Sequence, residues 1–73
     1  MTLRASSQLK KILDKRGISI RQCAEMSGIH FETVRKMYND DSKQYQRNTL
    51  GALCTALDVE IKDLLMLIEE EEA

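Results

Sequence analysis

The chain has 73 residues, of which 42% are hydrophobic and only 4% aromatic, and its formal net charge is −1. A single domain of that length lies near the lower limit at which an apolar core alone holds a fold, and this core must be built from Leu, Ile, Val, Met and Ala. The absence of proline and the presence of only three glycines favour several short helices over a sheet.

In chain order, Leu9, Ile12 and Leu13 fall at i, i+3 and i+4 among charged residues, which predicts an amphipathic helix from about 2–6 to Arg16. Lys15 and Arg16 suit its C-terminal dipole, and Gly17 supplies a left-handed stop. Ser19 and Gln22 form a capping box for a second helix, with Ile18 placed as a hydrophobic staple on Cys23. That helix ends near Ser27, and Gly28 is set for a left-handed turn. A third helix runs from about Phe31 to Tyr38 or Asn39, with His30 at its cap and Ile29 as its staple on Val34. Residues 39–46 are polar apart from Tyr45 and predict a loop. Leu50, Leu53, Cys54 and Leu57 then mark a fourth helix, and Ile61, Leu64, Leu65 and Ile68 mark a fifth. No strand alternation is evident, so the expected fold is all-α with five short helices.

The second and third helices are only three or four residues apart, so they must cross steeply, and their contact requires small side chains. Ala24 at the crossing, Gly28 in the turn and Val34 pointing back at Ala24 meet that requirement. Charge is also divided along the chain. Residues 1–47 carry ten Lys or Arg against five acids, a net of +5, while residues 48–73 carry Lys62 against seven acids, a net of −6. One segment can therefore face a polyanion while the other is repelled by it.

Segment 18–39, ISIRQCAEMSGIHFETVRKMYN, resembles the two central helices of the Cro/cI-type (XRE, phage-repressor-like) helix-turn-helix DNA-binding family. Segment 49–65, TLGALCTALDVEIKDLL, resembles that family's closing helices, and the likeness covers about residues 6–66. It implies a lambda-repressor-like domain whose third helix enters the major groove, and a prokaryotic or phage transcriptional regulator acting as a dimer on a two-fold site. In place of the family's frequent glutamine at the start of the second helix stands Ile20, and in place of its glycine after the third helix stand Asp40 and Asp41.

On that likeness, base contacts fall to Phe31, Glu32, Arg35 and Lys36. Arg35 is suited to guanine O6 and N7, Glu32 to a cytosine amino group and Phe31 to a thymine methyl. The plain alternative for Glu32 and Lys36 is an exposed i, i+4 ion pair. Backbone contacts fall to Arg21, Gln22, His30, Thr33, Lys43, Gln44, Tyr45 and Arg47; for Tyr45 the alternative is a staple onto the fourth helix.

Cys23 and Cys54 are not spaced as a metal site and are expected as reduced core thiols, with a disulfide as the alternative. No metal, cofactor or small-molecule ligand is expected, and no catalytic constellation is present, so the chain is not read as an enzyme. The N-terminus lacks the apolar run of a signal peptide and no stretch is long enough to span a bilayer, which predicts a cytoplasmic protein without a membrane partner. Residues 1–68 are expected to form the domain, with the helix-turn-helix at about 19–39, and 69–73 an acidic, disordered tail. Met66 and Leu67 widen the apolar surface of the fifth helix and suggest a homodimer contact. A competing function is a protein-interaction module, an antirepressor or antitoxin-like partner on the same scaffold.

Overall fold

In the computed structural model, which describes residues 2–70, a strand β1 (Thr2–Ser7) is followed by α1 (Leu9–Arg16), α2 (Ile20–Ser27), α3 (Phe31–Tyr38), α4 (Arg47–Leu57), α5 (Ile61–Leu64) and a second strand β2 (Leu65–Glu70). The five helices enclose a core of eight buried side chains. α1 contributes Leu9 and Leu13, α2 Cys23, α3 Val34 and Met37, α4 Leu53 and Leu57, and α5 Leu64. None of these eight is aromatic; Tyr38 and Tyr45 pack against the core only partly buried. Burying each of the leucine, valine and methionine side chains stabilises the fold by roughly 1.5–3 kcal/mol.

The helix ends follow local chemistry. Ser19 Oγ accepts the Gln22 N–H at 3.1 Å while Gln22 Oε1 accepts the Ser19 N–H at 2.9 Å, which completes the capping box. α4 ends on Asp58 in the left-handed conformation, φ 53°. α1 and α4 are joined at their C-termini, where the Arg16 guanidinium donates to the Leu57 carbonyl. Glu60 and Asp63 form a second capping box over α5. Cys23 is buried and Cys54 half-buried, and both are free thiols. No helix among the described residues is long and apolar enough to cross a membrane.

The two strands correct the all-α expectation. Thr2–Ser7 pairs antiparallel with Leu65–Glu70, Thr2 opposite Glu70 and Ser7 opposite Leu65. Residues 2–6 therefore do not begin the first helix. Its start is set instead at Leu9, whose N–H donates to Ser7 Oγ at 3.3 Å. The fifth helix likewise stops after one turn, because Leu65 turns to φ −124°, ψ 144° and the chain leaves as a strand. Leu65 and Ile68, expected on the helix's apolar stripe, become half-buried strand residues. Glu69 and Glu70, expected in the acidic tail, close β2 opposite Leu3 and Thr2; the rest of that segment lies outside the described residues.

A two-stranded ribbon alone is marginal in water, and this one is anchored at its base. The Gln8 N–H donates to the Leu64 carbonyl at 2.8 Å. Asp40, just past α3, accepts from the Ser7 N–H and from Ser6 Oγ, each at 2.8 Å, and from Arg4 Nη1 at 3.3 Å. Side chains alternate along each strand, so Met66 and Leu67 point to opposite faces of the ribbon rather than forming one patch on a helix. Leu67 shares its face with Ala5 and Leu3, and it is 66% exposed where Leu3 is 57% exposed.

Candidate nucleic-acid interface

α2 and α3 are joined by a turn of three residues, Gly28, Ile29 and His30. Gly28 has φ 71° and its N–H returns to the Ala24 carbonyl at 2.9 Å. A Cβ built on Gly28 meets nothing within 4 Å, so glycine is needed there for the backbone angle alone and not for close packing. Ala24 and Ile29 are half-buried against the core, and Val34 is fully buried. His30 caps α3 after all: its Nδ1 accepts the Glu32 N–H at 3.3 Å.

Because Val34 and Met37 face the core, Phe31, Glu32, Lys36 and Asn39 are exposed and Arg35 is half-exposed on the other side of α3. That side does not hold the Glu32–Lys36 ion pair that stood as the alternative to base contact. Glu32 bonds Arg35 instead, accepting Arg35 Nη2 at 2.8 Å and Nε at 3.2 Å. The Arg35 bonds hold the Glu32 carboxyl below its ordinary range, and the Glu32 carboxylate raises Arg35 in turn. From α2, the Arg21 guanidinium lies over the Phe31 ring, 5.6 Å from its centroid, an attraction between cation and ring quadrupole. Gln22 uses Oε1 in its cap, which leaves the amide NH₂ free to donate outward.

A brace fixes α3 on α1. The Tyr38 hydroxyl donates to Asp14 Oδ1 at 2.6 Å, Lys10 pairs with Asp14 Oδ2 at 2.8 Å, and Lys10 Nζ lies 5.2 Å from the centre of the Tyr38 ring.

The loop after α3 closes a groove lined by Thr33, Lys36, Lys43, Gln44, Gln46 and Thr49. The last two were not singled out from sequence; their only signal is their place at the start of α4. Arg47 is exposed at the first position of that helix. Tyr45 lines the groove as well; its ring packs on the core and its hydroxyl is sealed from solvent, the packing a staple onto the fourth helix has. Ile20, where the family's glutamine was expected, is half-buried on the same core. Asp40 has φ 56°, the conformation a glycine would take, and its carboxylate is turned to β1. Only Asp41 of the two aspartates is exposed.

Two short helices set across a left-handed turn, with a polar face on the second, define a helix-turn-helix DNA-binding domain. Residues 8–70 match the family described as the Cro/C1-type HTH DNA-binding domain, and the chain belongs to that family. No curated protein and no solved structure matches it. DNA binding in the service of transcription regulation follows from that membership.

Proposed function

We propose that the domain reads a specific sequence in double-stranded DNA, with α3 in the major groove. The observation that carries this is the burial of Val34 and Met37, which turns Phe31, Arg35 and Lys36 outward together. Arg35 donates to guanine O6 and N7, Lys36 to a base or a phosphate, and Phe31 lies against a thymine methyl. Arg21, Gln22, His30, Thr33, Lys43, Gln44 and Arg47 hold the phosphates on either side. Each cation that neutralises a phosphate releases a counterion, so affinity falls steeply with salt. The chain has no catalytic role in this reading and works where the cell keeps its DNA, in the cytoplasm.

Two copies on a two-fold site is the arrangement that suits such a domain. The exposed ribbon face of Leu3, Ala5 and Leu67 supports it, in place of the Met66–Leu67 patch expected on a helix. The same apolar face favours the second reading, a module that docks on another regulator protein. Selection of bound duplexes from a random pool at low salt separates the two. Enrichment of a defined motif is the expected result. Failure to retain any duplex, together with stable capture of a protein partner, favours the second.

A further inference from the structure

We infer that Glu32 is a positioning residue that holds Arg35 ready for a base, and that it does not itself read one. This inference rests on the DNA-reading function proposed above. A guanidinium carries five N–H donors: one on Nε and two on each Nη. Glu32 occupies the inner side of that group, with Oε1 accepting from Nε at 3.2 Å and Oε2 accepting from Nε at 3.3 Å and Nη2 at 2.8 Å. Both Nη1 donors and one Nη2 donor remain. They form the outer edge of the guanidinium plane, whose spacing matches guanine O6 and N7. Side-on restraint by Glu32 and end-on contact with guanine are therefore compatible at the same moment.

The restraint has a physical use. An arginine side chain loses considerable rotamer freedom when it is fixed on a target, and one already held by its neighbour loses less on binding. The Glu32 backbone is held by the His30 cap on its N–H, and its carboxylate lies in the first turn of α3, where the helix dipole favours a negative charge. The geometry also removes Glu32 from the cytosine role. Both of its oxygens accept from Arg35, so the guanidinium, and not a base, sets where the carboxylate lies.

The test uses the full chain and the duplex motif selected from the random pool, with single base-pair variants of it. Arg35→Ala is expected to abolish preference at one G·C pair. Glu32→Ala is expected to reduce preference at that same pair by about twofold and to leave other positions unchanged. The double variant is expected to be no worse than Arg35→Ala alone. In the DNA-free protein, the Arg35 Nε–H signal in ¹⁵N NMR is expected to exchange slowly in the native chain, rapidly in Glu32→Ala, and at an intermediate rate in Glu32→Gln. Loss of preference at a different base pair, or independent losses that multiply in the double variant, overturns the inference while leaving DNA reading intact. A native chain with no sequence preference overturns DNA reading, and the NMR measurement then decides the restraint separately. Equal exchange in native chain and Glu32→Ala ends it.

Discussion

The carboxylate of Asp40 accepts the backbone N–H of Ser7 at 2.8 Å across 33 positions of the chain. This one contact ties the end of α3 to the base of the ribbon. Ser6 Oγ and Arg4 Nη1 add to it on the second carboxylate oxygen. Asp40 thereby serves two needs at once. It adopts the left-handed backbone that ends the segment after α3, and it satisfies a strand donor that faces away from β2.

Removing that carboxylate is expected to be costly. Ser7 is buried, so Asp40→Ala strands its N–H and loses the Ser6 bond while keeping a side chain in the left-handed region. The expected destabilisation is about 2–4 kcal/mol. Asp40→Asn, which retains an acceptor and tolerates that conformation, is expected to lose about half as much. Urea titration with equal slopes for all three chains measures this. An Asp40→Ala chain as stable as the native one excludes the latch.

The same group makes stability fall in acid. Burial by itself raises the Asp40 carboxyl, but the Ser7 N–H, the Ser6 hydroxyl and Arg4 outweigh it and hold the group below its ordinary value of 3.8. A carboxyl depressed on folding adds stability that is present above the unfolded value. That stability is lost as pH falls from about 4 through the folded value. Asp14 and Glu32 are lowered as well, by Lys10 and by Arg35 respectively, but both are open to solvent and weigh less. Asp40→Asn is therefore expected to flatten the stability profile below about pH 4, read by urea midpoints at successive pH values. An unchanged profile assigns the acid loss to other carboxylates.

Much of this domain was legible in local pattern, and what escaped was non-local. The Ser19–Gln22 capping box, the left-handed Gly28 and the inward Val34 are decided within a few residues of themselves. Gly28→Ala and Gly51→Ala follow from that local physics. Neither added methyl meets a neighbour within 4 Å. Gly28 has φ 71°, so its substitution is expected to cost about 1–2 kcal/mol. Gly51 lies in the helical, exposed middle of α4, and its substitution is expected to stabilise by about 0.5–1 kcal/mol. Thermal unfolding of the two single variants checks the opposite signs; losses of equal sign contradict the assignment.

The ribbon was not legible for a matching reason. Thr2–Ser7 carries only a two-residue alternation, Leu3 and Ala5 between polar neighbours, too short to mark a strand, and Leu65 and Ile68 continue the helical spacing of Ile61 and Leu64. Only the pairing of segments more than 55 residues apart, from Ser7 opposite Leu65 outward, makes strands of them. Asp40 reads from sequence as a charge that phosphates would repel, because its partners Arg4, Ser6 and Ser7 are brought to it by the fold. The pairing of Glu32 with Arg35 rather than Lys36 was equally open, since i+3 and i+4 neighbours are nearly equivalent on a helix.

Division of labour on the DNA face is measurable by salt and by sequence. Arg35→Ala is expected to lose about 1–3 kcal/mol of discrimination at one base pair. Lys43→Ala, on the exposed loop beside the groove, is expected to weaken all duplexes alike and to lower the slope of log affinity against log salt by about 1. Fluorescence anisotropy at several salt concentrations resolves both effects. Equal losses on every duplex from both variants refute the division.

The ribbon face offers a last test, because neighbouring side chains on β2 point opposite ways. Leu67 shares a solvent-exposed face with Ala5 and Leu3, whereas Met66, 51% exposed, lines a groove with Ile12 and Val59. If two copies meet through the Leu67 face, Leu67→Lys places a charge in the contact and Met66→Lys does not. Sedimentation velocity is expected to show the native chain and Met66→Lys as dimers at the concentrations used, and Leu67→Lys as a monomer. Since Leu67 contributes little buried area, its change is expected to shift folding stability by no more than about 0.5 kcal/mol, so loss of the dimer cannot be ascribed to unfolding. On a two-fold site, Leu67→Lys then fills the two half-sites independently. Dimers that survive Leu67→Lys but not Met66→Lys move the contact to the other side of the ribbon, and a native chain that sediments as a monomer on and off DNA removes it.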